Sequence, residues 1–238
     1  MPGLADLTWP ELPERGILLI PLGAVEQHGP HLPYTVDTEI AVALCRRVSE
    51  RRADVIVAPP LPFGSSGEHA GFPGTLSIGQ DATETVLVEL GRSADAFAGV
   101  LFVCGHGGNA EPLRRALETL RYEGRNVGAW GPSGPPDDTH AGRLETSVML
   151  ALRPQAVRVD RLEPGATAPL PDLIDDLRAG GVRAVSPNGV LGDPTGAGAE
   201  EGERTLSRWA KALLNAVETL TSGAMMEQSE PPTRVTKR

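Results

Sequence analysis

Apolar and polar positions alternate between two patterns along this chain. Ile17–Leu22 is an unbroken apolar run, as expected for a strand covered on both faces. Residues 38–52 follow with helical spacing, Asp37 or Thr38 standing near the start. A second strand is predicted at 55–58. Asp81 with Glu84 three residues on suggests a capping box with Asp81 as N-cap, and Val86, Leu90 and Phe97 place an apolar stripe on the helix behind it. Residues 100–104 predict a third strand, 111–123 a helix, 126–130 a fourth strand and 144–152 a short helix. Leu206, Trp209, Leu213, Val217 and Leu220 define one face of a last helix at about 200–220. No internal repeat is visible.

Strands that alternate with helices predict an α/β fold of three layers, a mainly parallel central sheet flanked by helices. Ligands of such sheets bind at the carboxyl ends of the strands. One domain is expected over 1–222, with 223–238, polar and containing Pro-Pro, expected to be disordered.

Composition narrows the function classes. Apolar residues make up 40% of the 238 positions and aromatics only 4%, so the core must be built from Leu, Val, Ile and Ala. A formal charge of −9 argues against nucleic acid or an anionic membrane as partner. No apolar run approaches the roughly 20 residues of a membrane span. No signal-peptide layout opens the chain, and its two cysteines, Cys45 and Cys104, read as buried thiols rather than a disulfide. A cytoplasmic protein is expected.

The chain has five histidines, and each lies in or beside a polar motif. His28 and His31 belong to Glu26-Gln27-His28-Gly29-Pro30-His31, with Asp37 shortly after. His69 follows Glu68 in a glycine-rich loop, His106 stands in Gly105-His106-Gly107-Gly108-Asn109, and His140 precedes Glu145 by five residues. Imidazole with carboxylate suits zinc, iron or manganese. Residues two apart in extended backbone point to the same side, so Glu26 and His28 can face one cavity. Asp37 could return there at the mouth of the next helix and bridge two cations. Blander readings stand beside these: Glu26 or Asp37 as a helix cap, Glu145 and Thr146 as a helix start, His69 in an ordinary loop. The stretch 189–198 (GVLGDPTGAG) reads as a packing or subunit-contact element more than as chemistry.

Together, Leu22-Gly23-x-x-Glu26-Gln27-His28-Gly29-Pro30-His31-Leu32-Pro33-x3-Asp37-Thr38, Gly105-His106-Gly107-Gly108-Asn109 and His140-x4-Glu145-Thr146-Ser147 resemble the creatininase family of metal-dependent amide hydrolases. The likeness spans about 17–220. Ala168-Pro169-Leu170-Pro171, Gly180-Gly181-Val182 and Gly189-Val190-Leu191-Gly192-Asp193-Pro194-Thr195 are similar to the family's mycofactocin-system peptidases.

The resemblance implies a creatininase-like fold, a homo-oligomer, often a hexamer, and two divalent ions per chain, Fe2+ or Zn2+ with Mn2+ as a further choice. Glu26 and His106 would hold one ion and His28 the other, with Asp37 between them. Creatininases proper carry a carboxylate two residues after the histidine of the third-strand motif. That position is Gly108 here, and Glu145 is expected to fill the gap. His140 is the expected catalytic proton-transfer group, and His31, Glu68 and His69 are expected to contact substrate. Creatininases also carry a tryptophan shortly before the histidine matching His140, where this chain has Pro136-Asp137-Asp138-Thr139. That difference argues against creatinine. The implied reaction is peptide hydrolysis near the C-terminus of a modified precursor peptide, releasing a crosslinked Val-Tyr-derived unit for redox-cofactor synthesis. Two alternatives are an amide hydrolase of the same family acting on a cyclic amide or formamide, and a metal-stabilised scaffold that holds the peptide uncut.

Overall fold

The computed structural model describes residues 3–223. The expected disordered tail lies, apart from Gly223, outside the described residues. Four strands, β1 (Ile17–Leu22), β2 (Val55–Val57), β3 (Gly99–Cys104) and β4 (Val127–Trp130), form one sheet in the order β2-β1-β3-β4, every pair parallel. Six helices accompany them among the described residues: α1 (Val36–Ser49), α2 (Gln80–Ser93), α3 (Ala110–Tyr122), α4 (Arg143–Leu152), α5 (Leu170–Val185) and α6 (Ala199–Thr221).

Alternation along β1 divides the core in two, since successive strand residues point to opposite faces. Ile17 and Leu19 join Leu44, Met149, Leu206 and Leu213 under α1, α4 and α6. Leu18, Ile20 and Leu22 join Leu87, Phe102, Leu117 and Leu120 under α2 and α3. All six positions of β1 are buried, which is why the run shows no polar alternation. The five apolar residues predicted on the last helix are all buried, and Trp209 Nε1 donates to the Ser133 carbonyl at 2.9 Å. The expected three-layer α/β architecture is the observed one.

Three local expectations need correction. Asp81 is not an N-cap: α2 starts one residue earlier, behind Gly79 at φ +79°, and Asp81 sits in its first turn. Helix α5 went unpredicted. Its Leu170, Leu173, Ile174 and Leu177 fall at helical spacing, but Val182 is its only buried residue, and Gly181 at φ +70° kinks it. The stretch 189–198 reaches the histidine cluster, as described next. Both cysteines are free thiols; burial pushes Cys104 up to about 12. No described helix is long and apolar enough to cross a membrane.

Candidate metal centre

The loops after β1, β2 and β3 meet at the carboxyl edge of the sheet. Asn109 ties them together: its Oδ1 accepts from Ser65 N at 2.8 Å and its Nδ2 donates to the Gly23 carbonyl at 3.0 Å. Asp37 occupies the first turn of α1, whose backbone presses on Gly105; a Cβ at Gly105 would stand 2.9 Å from the Asp37 carbonyl carbon. Glycine at that position therefore lets the helix mouth close onto the end of β3.

Here five sequence-predicted residues converge. Asp37 Oδ1 lies 3.1 Å from His28 Nε2, and its Oδ2 lies 3.6 Å from His106 Nδ1. Glu26 Oε2 is 3.1 Å from His106 Nε2, and Glu145 Oε2 is 3.8 Å from His28 Nε2. Four groups with ligand-like spacing occur among the described residues: Glu26–His28–His140, Glu26–Glu68–His69, and Glu26–Asp37–His106 and His28–Asp37–Glu145, which share Asp37. In each, the donor atoms lie within 4.8 Å of one another. Both oxygens of Glu26 and Oδ2 of Asp37 are buried without a hydrogen-bond partner. Unpaired buried carboxylates are costly, and cations among them remove the cost. The donor set thus fits divalent metal.

The imidazoles divide into two electrostatic kinds. His28 loses solvation through burial, but Asp37, Glu145 and Glu26 outweigh that and raise it to about 10. Burial likewise opposes charge on His106, and Glu26, Asp37 and Glu68 raise it to about 9. His69 is lowered to about 3 by burial and the neighbouring imidazoles, and His140 is driven well below its ordinary value for the same reasons. Burial also raises the carboxyl of Glu145, to about 7, against the pull of His28.

Gln27, which the sequence did not single out chemically, sets the neutral pair. Its Oε1 accepts from Gly29 N at 2.8 Å and its Nε2 donates to the Gly189 carbonyl at 2.9 Å, which orients the amide. Nε2 then donates to His69 Nδ1 at 2.9 Å, leaving the His69 proton on Nε2, 3.4 Å from Glu26 Oε1. His140 Nε2 donates to the Gln27 carbonyl at 2.8 Å, so its unprotonated Nδ1 faces Glu26 Oε1 at 3.7 Å. Leu191 pairs backbone to backbone with His140. The stretch 189–198 thus orients two site residues; its glycine at 189, φ +81°, was the available signal.

Other expectations shift. His31 is wholly buried, its Nε2 2.8 Å from Thr146 Oγ1, so it presents no surface to a substrate. His69 is also buried, its Nε2 3.4 Å from Glu26 Oε1. Glu68 is the partly open one, 3.4 Å from His106 Nε2. Glu145 lies on the His28 side, within ligand-like spacing of His28 and Asp37, and also accepts from Ala141 N at 2.6 Å.

The creatininase family model, described as creatinine amidohydrolase, matches residues 5–217. The chain belongs to the creatininase family. It is an enzyme of the metal-dependent amide-hydrolase class. It is 50% identical over 208 residues to the mycofactocin precursor peptide peptidase of Mycolicibacterium smegmatis, a match covering 84% of each chain. Among solved structures it resembles a manganese creatininase, with TM-score 0.76 and 29% identity over 90% of this chain and 96% of that one. A mutant creatininase of zinc–zinc type gives TM-score 0.75 and 28% identity over 90% and 96%. The family's metal dependence accords with the buried carboxylate and imidazole donors.

Proposed function

We propose that this enzyme cleaves the modified mycofactocin precursor peptide near its C-terminus, releasing the crosslinked Val-Tyr-derived unit during redox-cofactor synthesis. The observation that carries this reading is the 50% identity to a peptidase of that substrate, over 84% of both chains. Local structure agrees. Where creatininases proper carry a tryptophan, Asp138 instead caps α4, accepting from Arg143 N at 2.8 Å and Leu144 N at 2.9 Å.

In this reading Glu26, His28, Asp37, His106 and Glu145 hold two divalent ions, Fe2+ or Zn2+, with Mn2+ also suited to the donors. When bound, such ions supply Lewis acidity, polarising a carbonyl and making hydroxide available near neutral pH. The chain's own residues do the rest. His28 donates Nδ1–H to the Glu26 carbonyl at 3.1 Å, which fixes its ring and leaves Nε2 for the centre. His140, whose Nδ1 faces Glu26 Oε1 at 3.7 Å, is assigned the proton transfers. It takes a proton from the attacking water as the oxygen bonds to the peptide carbonyl carbon. It returns that proton to the amide nitrogen as the C–N bond breaks, which a poor leaving group needs. The reading includes a cytoplasmic homo-oligomer, a hexamer by family resemblance, which light scattering of the purified protein tests.

Mass spectrometry of the modified precursor peptide after incubation with metal-loaded protein tests the function. A shortened peptide together with the released dipeptide unit is expected. An intact peptide beside hydrolysed creatinine or a formamide would favour the other amide-hydrolase reading.

A further inference from the structure

Gly108 borders the centre but carries no side chain, and another residue fills its space. A Cβ at Gly108 would collide with Glu68 Oε1, with His106 Nε2 and with the Ser65 carbonyl. Glu68 stands on the 3-10 turn Gly67–His69, a different loop from Gly108. Its Oε1 is 3.4 Å from His106 Nε2, and it forms a group of ligand-like spacing with Glu26 and His69. Among the described residues its carboxylate accepts no hydrogen bond from the chain, and His106 is its only cationic neighbour within 4.0 Å. Beside it, both oxygens of Glu26 are buried and unpartnered.

We infer that Glu68 is a metal-binding carboxylate, the fourth donor on the His106 side of the centre. Three donors, Glu26, Asp37 and His106, surround that side, and ions of this class take four or more. Glu68 supplies the missing oxygen from the open face. This inference rests on the two-metal reading above but on no particular substrate.

Helix α5 positions the donor. At its kink, a Cβ on Gly181 would stand 2.6 Å from the Glu68 carbonyl oxygen, so the helix backbone lies directly on the turn. Arg183 Nη1 donates to the Gly71 carbonyl at 2.6 Å, and its guanidinium lies 5.7 Å over the Phe72 ring. The clamp orders the turn, and an ordered turn places its carboxylate at lower entropic cost.

Calorimetric titration of chelator-treated protein with Mn2+ or Zn2+, together with elemental analysis, tests the assignment. The full-length protein should bind two ions per chain. Glu68→Ala and the isosteric Glu68→Gln should each weaken one of the two sites by at least ~10-fold, the effect of losing even an outer partner. Glu145→Gln should weaken the other, and the double variant both. Circular dichroism confirms that each variant is folded. Two sites within twofold of the unmodified protein in Glu68→Gln overturn the inference. So does a Glu68→Gln variant that keeps both ions and loses only turnover, since that marks a proton carrier. No peptide enters this experiment, so failure of the peptidase reading shows separately, in the mass spectrum.

Discussion

The two sides of the metal centre are built differently. The His28 side is the more enclosed: His28 and Asp37 are buried, and Glu145, 19% exposed on α4, is tied to the Ala141 amide. The His106 side opens toward solvent, with Glu68 32% exposed on a turn clamped by α5. An enclosed side can retain an ion without taking part in substrate exchange. An open side can admit a carbonyl and release an amine. Asp37 joins the two, one oxygen toward each imidazole. In such a centre retention and turnover can be altered separately by substitution.

Breaking the junction should have the largest effect. Asp37→Ala removes a donor from both sides, so metal content should fall toward zero and turnover by more than ~10³-fold, beyond the ~10–100-fold of an outer-partner loss. Glu145→Gln should lose about one ion only. Elemental analysis of both variants decides it, and near-normal metal in Asp37→Ala would sink the bridge.

Gln27→Leu probes the support behind the open side. It removes the donor that fixes the His69 tautomer beside Glu26, as well as the bond to the Gly189 carbonyl. Metal affinity or activity should fall ~10–100-fold with the fold intact. Unchanged affinity and turnover would mean that the amide orients nothing of consequence.

The charge state of the ion-free protein sharpens the comparison further. His28 and His106 are raised to about 10 and about 9, so both hold protons at pH 8 before loading. Coordination requires neutral imidazole, so loading at pH 8 should release roughly two protons per chain. The release should fade as pH rises through 9 and 10. Calorimetry in two buffers of different ionisation enthalpy counts them, and zero release would show that the imidazoles were already neutral.

The smallest effect belongs outside the centre. Asp138 accepts from two amides at the start of α4. Asp138→Ala should cost about 1 kcal/mol, as loss of a helix cap does, and lower Tm by ~2–4 °C. Metal content should not change. Loss of an ion in this variant would mean that α4 moves Glu145 when its start loosens.

Much of this was legible in sequence. The fully apolar run of β1 announced a strand buried on both faces, and the five-residue stripe on α6 announced its inner face. Glu26, His28, Asp37 and His106 could be grouped because they follow two strands that end at one sheet edge. Helix α5 was not read from the sequence, although Leu170, Leu173, Ile174 and Leu177 repeat at helical spacing, because prolines at its start and Gly180-Gly181 within it break the pattern. Nor was Gln27, whose role depends on a carbonyl at Gly189, far along the chain.

What the sequence determined by itself was local or periodic: strand and helix order, the sparing use of histidine, and the motifs that mark a metal-dependent hydrolase. Hydrophobic period and residue chemistry are properties of short segments, so they survive without coordinates. Tertiary structure decided which carboxylate meets which imidazole. Glu145 reaches His28, while Glu68, from the turn after β2, occupies the space beside Gly108. No spacing rule could have chosen between them, because a ligand set is fixed by distance in space, and loops from three strands and a kinked helix set that distance together.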